Sequence, residues 1–315
     1  MESAEAAAAA GGDRVRSGGV PAIIYFYLAV IIASWAANWP LMRLALDHMR
    51  PLVFITLRLA GSVALLGPAL ALSGRPLLPL RQERLGLFWV GQCQVTLWVI
   101  FGIAGLAIVP PGRAIVLAYT MPLWAFPLGL WLVRERLSPM KLLGAAVGIA
   151  GLLLFMNPGL VDWRDPREAA GNLCLVLAAV SWALGSCLYR RRVWMSGFWS
   201  QTFWQLAVAT PPVLALALAA EPDWSVRWTP GVVAILAYNW VITTAIGYFL
   251  WNRVLAVLSP AIAGQVLTLT PIAGFFLSTA IFGGIVTAEI LVSIALIAIG
   301  LALTLRRERP AIPPE

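Results

Sequence analysis

One arginine sits where charge is expensive. Arg58 lies about seven residues into a long apolar segment, roughly 10 Å deep at 1.5 Å per helical residue. A guanidinium at that depth must meet a partner or water. Two roles fit it: a counter-charge for a carboxylate or other anionic group on a solute, or a structural arginine that binds helix-end carbonyls or snorkels to the surface. Pro122 and Pro271 fall near the centres of two other apolar segments. Proline removes a backbone donor and frees a carbonyl, which a membrane tolerates where neighbours or cavity water satisfy it. Both prolines are therefore candidates for a cavity-lining kink or hinge, against a purely structural kink. Near mid-segment there are also Trp35, Asn38, Trp98, Tyr119, Trp182, Tyr238, Asn239, Tyr248 and Gln265. Such residues can stack on an apolar solute and hydrogen-bond an amino-acid-like head, or they can pack helices together. Glu135 stands between Arg134 and Arg136 at a segment end, as a local charge pair or as a gate or proton site.

Other chemistries find no footing. No Asp or Glu lies near the centre of an apolar segment, and the single histidine, His48, falls in a connection. A relay through buried acids is not visible. That leaves uncoupled movement, counter-solute exchange or proton coupling through an edge group such as Glu135. No Walker A or HExxH pattern occurs, so neither ATP hydrolysis nor zinc hydrolysis is expected. The chain reads as no enzyme, with no cofactor and no metal. Cys93, Cys174 and Cys187 lie inside apolar segments without metal-ligand spacing and read as small buried groups.

These residues need a bilayer around them. The chain is 61% hydrophobic and 11% charged over 315 residues, whereas a soluble domain carries about 25% charged residues. Ten apolar segments are expected at about 23–45, 52–72, 86–108, 114–133, 140–156, 170–189, 200–220, 231–253, 261–282 and 288–305. The net charge of +8 does not form a stripe for nucleic acid. With the amino terminus inside, fifteen of the 22 Lys and Arg fall in cytoplasmic connections and five in outer ones. This bias places both termini in the cytoplasm. Tryptophans near segment ends, such as Trp194, Trp199 and Trp228, fit an interfacial belt.

The halves echo each other. Ser34-Trp35-Ala36 recurs as Ser181-Trp182-Ala183, 147 residues on, and Pro111 and Pro122 recur as Pro260 and Pro271, 149 residues on. Five segments per half make the second half an inverted copy, a common build of secondary transporters. The expected architecture is an all-α membrane protein of ten transmembrane helices in two inverted five-helix repeats. Residues 1–22 read as a disordered cytoplasmic tail, 23–156 and 170–305 as the repeats, 157–169 as an external linker and 306–315 as a second cytoplasmic tail.

The run Ser34-Trp35-Ala36-Ala37-Asn38-Trp39-Pro40 is similar to the Trp-Gly-x-Asn-Phe opening of the EamA-like branch of the drug/metabolite transporter superfamily. Ala36 replaces that Gly and Trp39 that Phe. Arg58 following Pro51, the stretch Ala118-Tyr119-Thr120-Met121-Pro122, the turn Glu135-Arg136-Leu137 and the spaced Gly144, Gly148 and Gly151 also resemble that family. Gly284 stands where the repeat offset would place a partner for Glu135. The resemblance covers roughly 23–305. It implies a permease of small metabolites in a bacterial inner membrane, most often an exporter. It also implies that the aromatic and polar residues above surround a central cavity. The expected solute is an amino acid or related compound; a multidrug or cation efflux carrier and a non-transporting scaffold subunit are the alternatives.

Overall fold

The computed structural model of the chain describes residues 20–109, 111–134, 138–156, 165–282 and 287–305. Glu135 and the 157–164 part of the expected linker lie outside them, as do residues 1–19 and 306–315. The described residues form helices and no strand. In chain order they are α1 (Ala22–Leu46), α2 (Pro51–Leu72), α3 (Arg81–Leu106), a broken α4 (Pro111–Ala118 and Met121–Val133) and α5 (Pro139–Met156). Then come α6 (Pro166–Arg190), α7 (Phe198–Ala220), α8 (Pro230–Val257), a broken α9 (Pro260–Leu267 and Leu269–Phe282) and α10 (Ala288–Leu305).

Eight helices among the described residues are long and apolar enough to cross a membrane: α1, α2, α3, α6, α7, α8, α9 and α10. The expected fourth and fifth segments are shorter, at Met121–Val133 and Pro139–Phe155. The fourth is shortened because the helix breaks at Tyr119 and Thr120 ahead of Pro122. Large apolar side chains cover the outside: Leu143, Leu173, Leu218 and Leu291 are each more than half exposed. Water does not favour such a surface, and lipid does.

Helix starts follow local chemistry. Proline opens α2, α6 and α8, where its missing N–H costs nothing and its φ already suits a helix. Asp165, Thr229 and Ser259 accept hydrogen bonds from Arg167 N, Val232 N and Ile262 N at the starts of α6, α8 and α9, satisfying donors that a helix leaves free.

Helix boundaries recur at the offsets of the sequence. Pro51 and Phe198 start α2 and α7, while Pro111 and Pro260 start α4 and α9. The interiors match as well. A π-helical stretch interrupts α3 at Gln92–Leu97 and α8 at Asn239–Ile246, 147 residues apart at their first residues. The breaks of α4 and α9 each carry a threonine, Thr120 and Thr268, whose hydroxyl donates to the carbonyl three residues before it at 2.6 Å.

Helices α5 and α10 meet through glycine. A methyl group on Gly144 would lie 2.7 Å from Gly300 O, and one on Gly151 would lie 2.8 Å from Ser293 O. Small residues let the two backbones touch, which is how helices associate where lipid removes the hydrophobic drive between them.

Candidate functional site

Six helices surround a central cavity with an empty volume of about 720 Å³, its open mouth included. Trp35, Asn38 and Met42 come from α1, Arg58 from α2, Trp98 and Gly102 from α3, Tyr119 from the break in α4, Trp182 from α6 and Tyr248 from α8. Among the described residues the lining contains one charged side chain, Arg58, and neither Asp, Glu nor His.

Aromatic rings build the floor. Trp35 meets Trp182, 147 residues on in the chain, edge to face, centroids 5.3 Å apart and planes at 86°. Trp182 also touches Trp98 at 5.1 Å, Tyr248 at 5.7 Å and Trp251 at 5.8 Å. Rings in such tilted and T-shaped arrangements hold one another by edge-to-face attraction. The two π-helical stretches fix them further. Trp35 Nε1 donates to Thr243 O in α8 at 3.0 Å, and Tyr248 OH donates to Gln94 O in α3 at 3.3 Å. A π turn disturbs the regular backbone ladder and here presents carbonyls to the cavity aromatics.

Arg58 neither snorkels nor finds an acid among the described residues. Its Nε donates to Thr244 Oγ1 at 2.8 Å, and its side chain lines the cavity. Asn38 is nearly buried, with Nδ2 weakly on Met42 Sδ at 3.5 Å and Oδ1 without a partner among the described residues. The cavity thus offers a cation and an aromatic floor, with the Asn38 side chain in its wall.

Seven of the ten substrate-site candidates from the sequence come together here: Trp35, Asn38, Arg58, Trp98, Tyr119, Trp182 and Tyr248. Three do not line the space. Tyr238 OH donates to Ser34 O at 2.9 Å, joining α8 to α1. Asn239 is fully buried, and its Nδ2 donates to Ile235 O at 2.9 Å in its own helix. Gln265 Nε2 donates to Gly144 O at 3.1 Å, joining α9 to α5. Polar groups in lipid-embedded helices must be satisfied by such contacts, and sequence position alone does not separate them from cavity groups. Pro122 and Pro271 sit just after the breaks of α4 and α9, both buried, and Pro122 packs near Gly264 of α9.

Sequence reasoning missed Thr244, Trp39, Met42 and the π-helical stretches. The pairs Gln92 with Asn239 and Thr96 with Thr243, each at the repeat offset, were the available signal. It also missed Glu83. The lining runs from mid-helix toward the end carrying the α1–α2 connection: Met42 is near the end of α1, Ile55 and Arg58 near the start of α2. At the opposite end the described residues bind one another across helices. There Glu83, 6% exposed, accepts from Met195 N at 2.6 Å and Ser196 N at 3.2 Å. Tyr189 OH donates to Gln201 Oε1 at 2.6 Å, Trp194 stacks on Tyr189, and Arg190 donates to Ala256 O at 2.6 Å. Trp194 is half-buried, and its Nε1 donates to Tyr189 O at 2.8 Å. Glu83→Ala removes two charge-assisted hydrogen bonds of about 1.5–3 kcal/mol each, partly offset by water because Met195 is exposed. We expect a melting temperature several degrees below wild type in detergent, with Glu83→Gln in between.

The comparisons with known proteins meet this geometry. Residues 21–157 and 169–306 each match the family described as the EamA-like transporter family. The chain belongs to that family. Relatives of the EamA-like chain include the uncharacterized transporter YoaV of Bacillus subtilis, 24% identical over 85% of this chain and 91% of that protein. Another is a probable amino-acid metabolite efflux pump of Salmonella typhimurium, 24% identical over 88% of this chain and 92% of that protein. A solved crystal structure superposes with a TM-score of 0.74 at 19% identity, covering 90% of this chain and 96% of that one. At that identity the likeness speaks to fold alone. The chain is a multi-pass membrane transporter.

Proposed function

We propose that this transporter carries a small carboxylate-bearing metabolite, an amino acid or a related compound, outward across a bacterial inner membrane by alternating access. The observation that carries the proposal is the cavity itself: among the described residues it holds a single guanidinium, no acid, and an aromatic floor. A solute carboxylate would meet the Nη groups of Arg58 in the paired geometry that guanidinium and carboxylate share. Its apolar part would lie on Trp35, Trp98 and Trp182, with the Asn38 side chain in the same wall. A cationic drug would face Arg58 without a counter-ion, which weighs against the cation-efflux alternative. A scaffold subunit has no use for an open cavity of this composition. Outward movement rests on the resemblance and on the name of the Salmonella relative.

In this reading all ten helices span the bilayer, as two inverted halves of five. The recurring helix boundaries, the paired π-helical stretches and the double family match support it. Both termini face the cytoplasm, so the mouth beside the α1–α2 connection faces out and the end that carries Glu83 and Arg190 faces in. The breaks ahead of Pro122 and Pro271 serve as hinges, where the chain already bends without a complete backbone ladder.

A thermal-shift series tests the reading. Ligand that binds only the folded state raises the melting temperature in proportion to the logarithm of its saturation. Purified protein should be stabilised saturably by at least one amino acid or other carboxylate, and not by quaternary ammonium compounds at equal concentration. Stabilisation by cations alone would overturn the carboxylate assignment.

A further inference from the structure

A guanidinium can bind a carboxylate as a fork only when its plane is aimed at it. An arginine side chain is long and flexible, and this one has no acid to hold it among the described residues. We propose that Thr244 is a positioning residue for transport: it fixes the guanidinium so that its two Nη groups point to the solute. The inference rests on the reading that Arg58 meets the solute.

Thr244 is fully buried and is not part of the cavity lining. It therefore acts through Arg58 rather than on a ligand. Its Oγ1 accepts from Arg58 Nε at 2.8 Å. A guanidinium carries five N–H donors in one rigid plane. Occupying Nε sets both the roll of that plane and the direction of the remaining four donors, which lie on Nη1 and Nη2. A carboxylate with two oxygens matches that end of the fork.

The support for Thr244 is itself built into the α2–α8 contact. Trp240 Nε1 donates to Leu57 O at 2.8 Å, and Ser62 Oγ is within 2.8 Å of Arg58 O and 3.0 Å of Trp240 O. Leu57, Arg58 and Ser62 on α2 thus meet Trp240 and Thr244 on the π-helical stretch of α8. The Trp240 indole lies directly over Gly61, where any side chain would collide with it. The contact holds the two helices close enough for a threonine hydroxyl to reach Nε.

The other half of the chain lacks the pair. At the 147-residue offset, Arg58 corresponds to Gln205 and Thr244 to Leu97. Gln205 is fully buried and accepts from Asn252 Nδ2 at 3.3 Å. The matching α7–α3 contact is Gln92 Nε2 on Val208 O at 2.9 Å, a neutral bond. The Arg58–Thr244 pair is therefore an addition to the shared scaffold, on one side of the cavity.

The test compares phenylacetate with phenylacetamide, which differ in charge and little in shape. Binding is read by tryptophan fluorescence on wild type, Thr244→Val, Thr244→Ser, Arg58→Lys and the Arg58→Lys/Thr244→Val double variant. Wild type should prefer phenylacetate. Thr244→Val should reduce that preference about tenfold while leaving phenylacetamide affinity within about twofold. Thr244→Ser, which keeps the acceptor, should restore the preference. In the Arg58→Lys background Thr244→Val should add nothing, since lysine has no Nε–H fork to orient. A purely structural threonine would lower both affinities together and leave their ratio unmoved, and that result would overturn the proposal. So would a Thr244→Val protein as selective as wild type. If wild type shows no preference, or binds neither compound, the Arg58 reading fails first and the Thr244 assignment fails with it.

Discussion

Arg58→Ala should abolish carboxylate selectivity while leaving the protein folded. Truncating one member of a desolvated, hydrogen-bonded charge pair costs about 2–5 kcal/mol, so affinity for the carboxylated solute should fall at least about thirtyfold. Neutral analogues should change by less than about threefold, because the aromatic floor of Trp35, Trp98 and Trp182 is untouched. Arg58→Lys should fall between. It retains a positive charge but loses the planar fork and the Nε bond to Thr244. Titration of each variant with an acid and its neutral amide, followed by melting temperature, checks the prediction. Parallel loss of both ligands, with normal insertion and normal stability, would remove Arg58 from the binding role.

Gly300→Val should be the most damaging single change outside the cavity. A Cβ on Gly300 would press on the backbone of Gly144 and Gly148 in α5. Backbone atoms cannot swing aside as a flexible side chain can. Overpacking costs about 1–3 kcal/mol even where side chains can yield, and here whole helices must part. The expected result is a loss of monodisperse protein or a melting temperature lowered by ten degrees or more. Gly300→Ala should show a smaller shift in the same direction. Gly102→Ala is the control: it lines the cavity and a Cβ there meets nothing within 4 Å, so stability should not change.

The membrane class and helix order were legible because lipid demands long apolar runs, and length and hydropathy carry that demand directly. The echo between the halves was legible at Trp35 and Trp182 and at the paired prolines, and helix starts recur at the same offsets. Depth made Arg58 stand out, since a charge there needs a reason. The misplaced residues share a physical cause. Tyr238, Asn239 and Gln265 are polar groups at mid-helix, as cavity residues are, but each finds a backbone carbonyl within its own helix or on a neighbour. Whether a side chain faces a cavity or a carbonyl depends on helix rotation, and a π-helical stretch shifts that rotation. Glu83 escaped notice for a similar reason. It sits in the first turn of α3, where an acid is commonplace, and only the fold brings the backbone of Met195 and Ser196 against it.

Counterflow in proteoliposomes tests the central claim most directly. Vesicles holding purified protein are preloaded with an unlabelled carboxylated solute chosen from the thermal-shift series, and entry of the labelled solute is followed. Alternating access through the Arg58 cavity predicts transient accumulation of label that saturates with concentration and is absent from Arg58→Ala vesicles. Equal counterflow with Arg58→Ala, or counterflow of cations in place of carboxylates, would contradict the account.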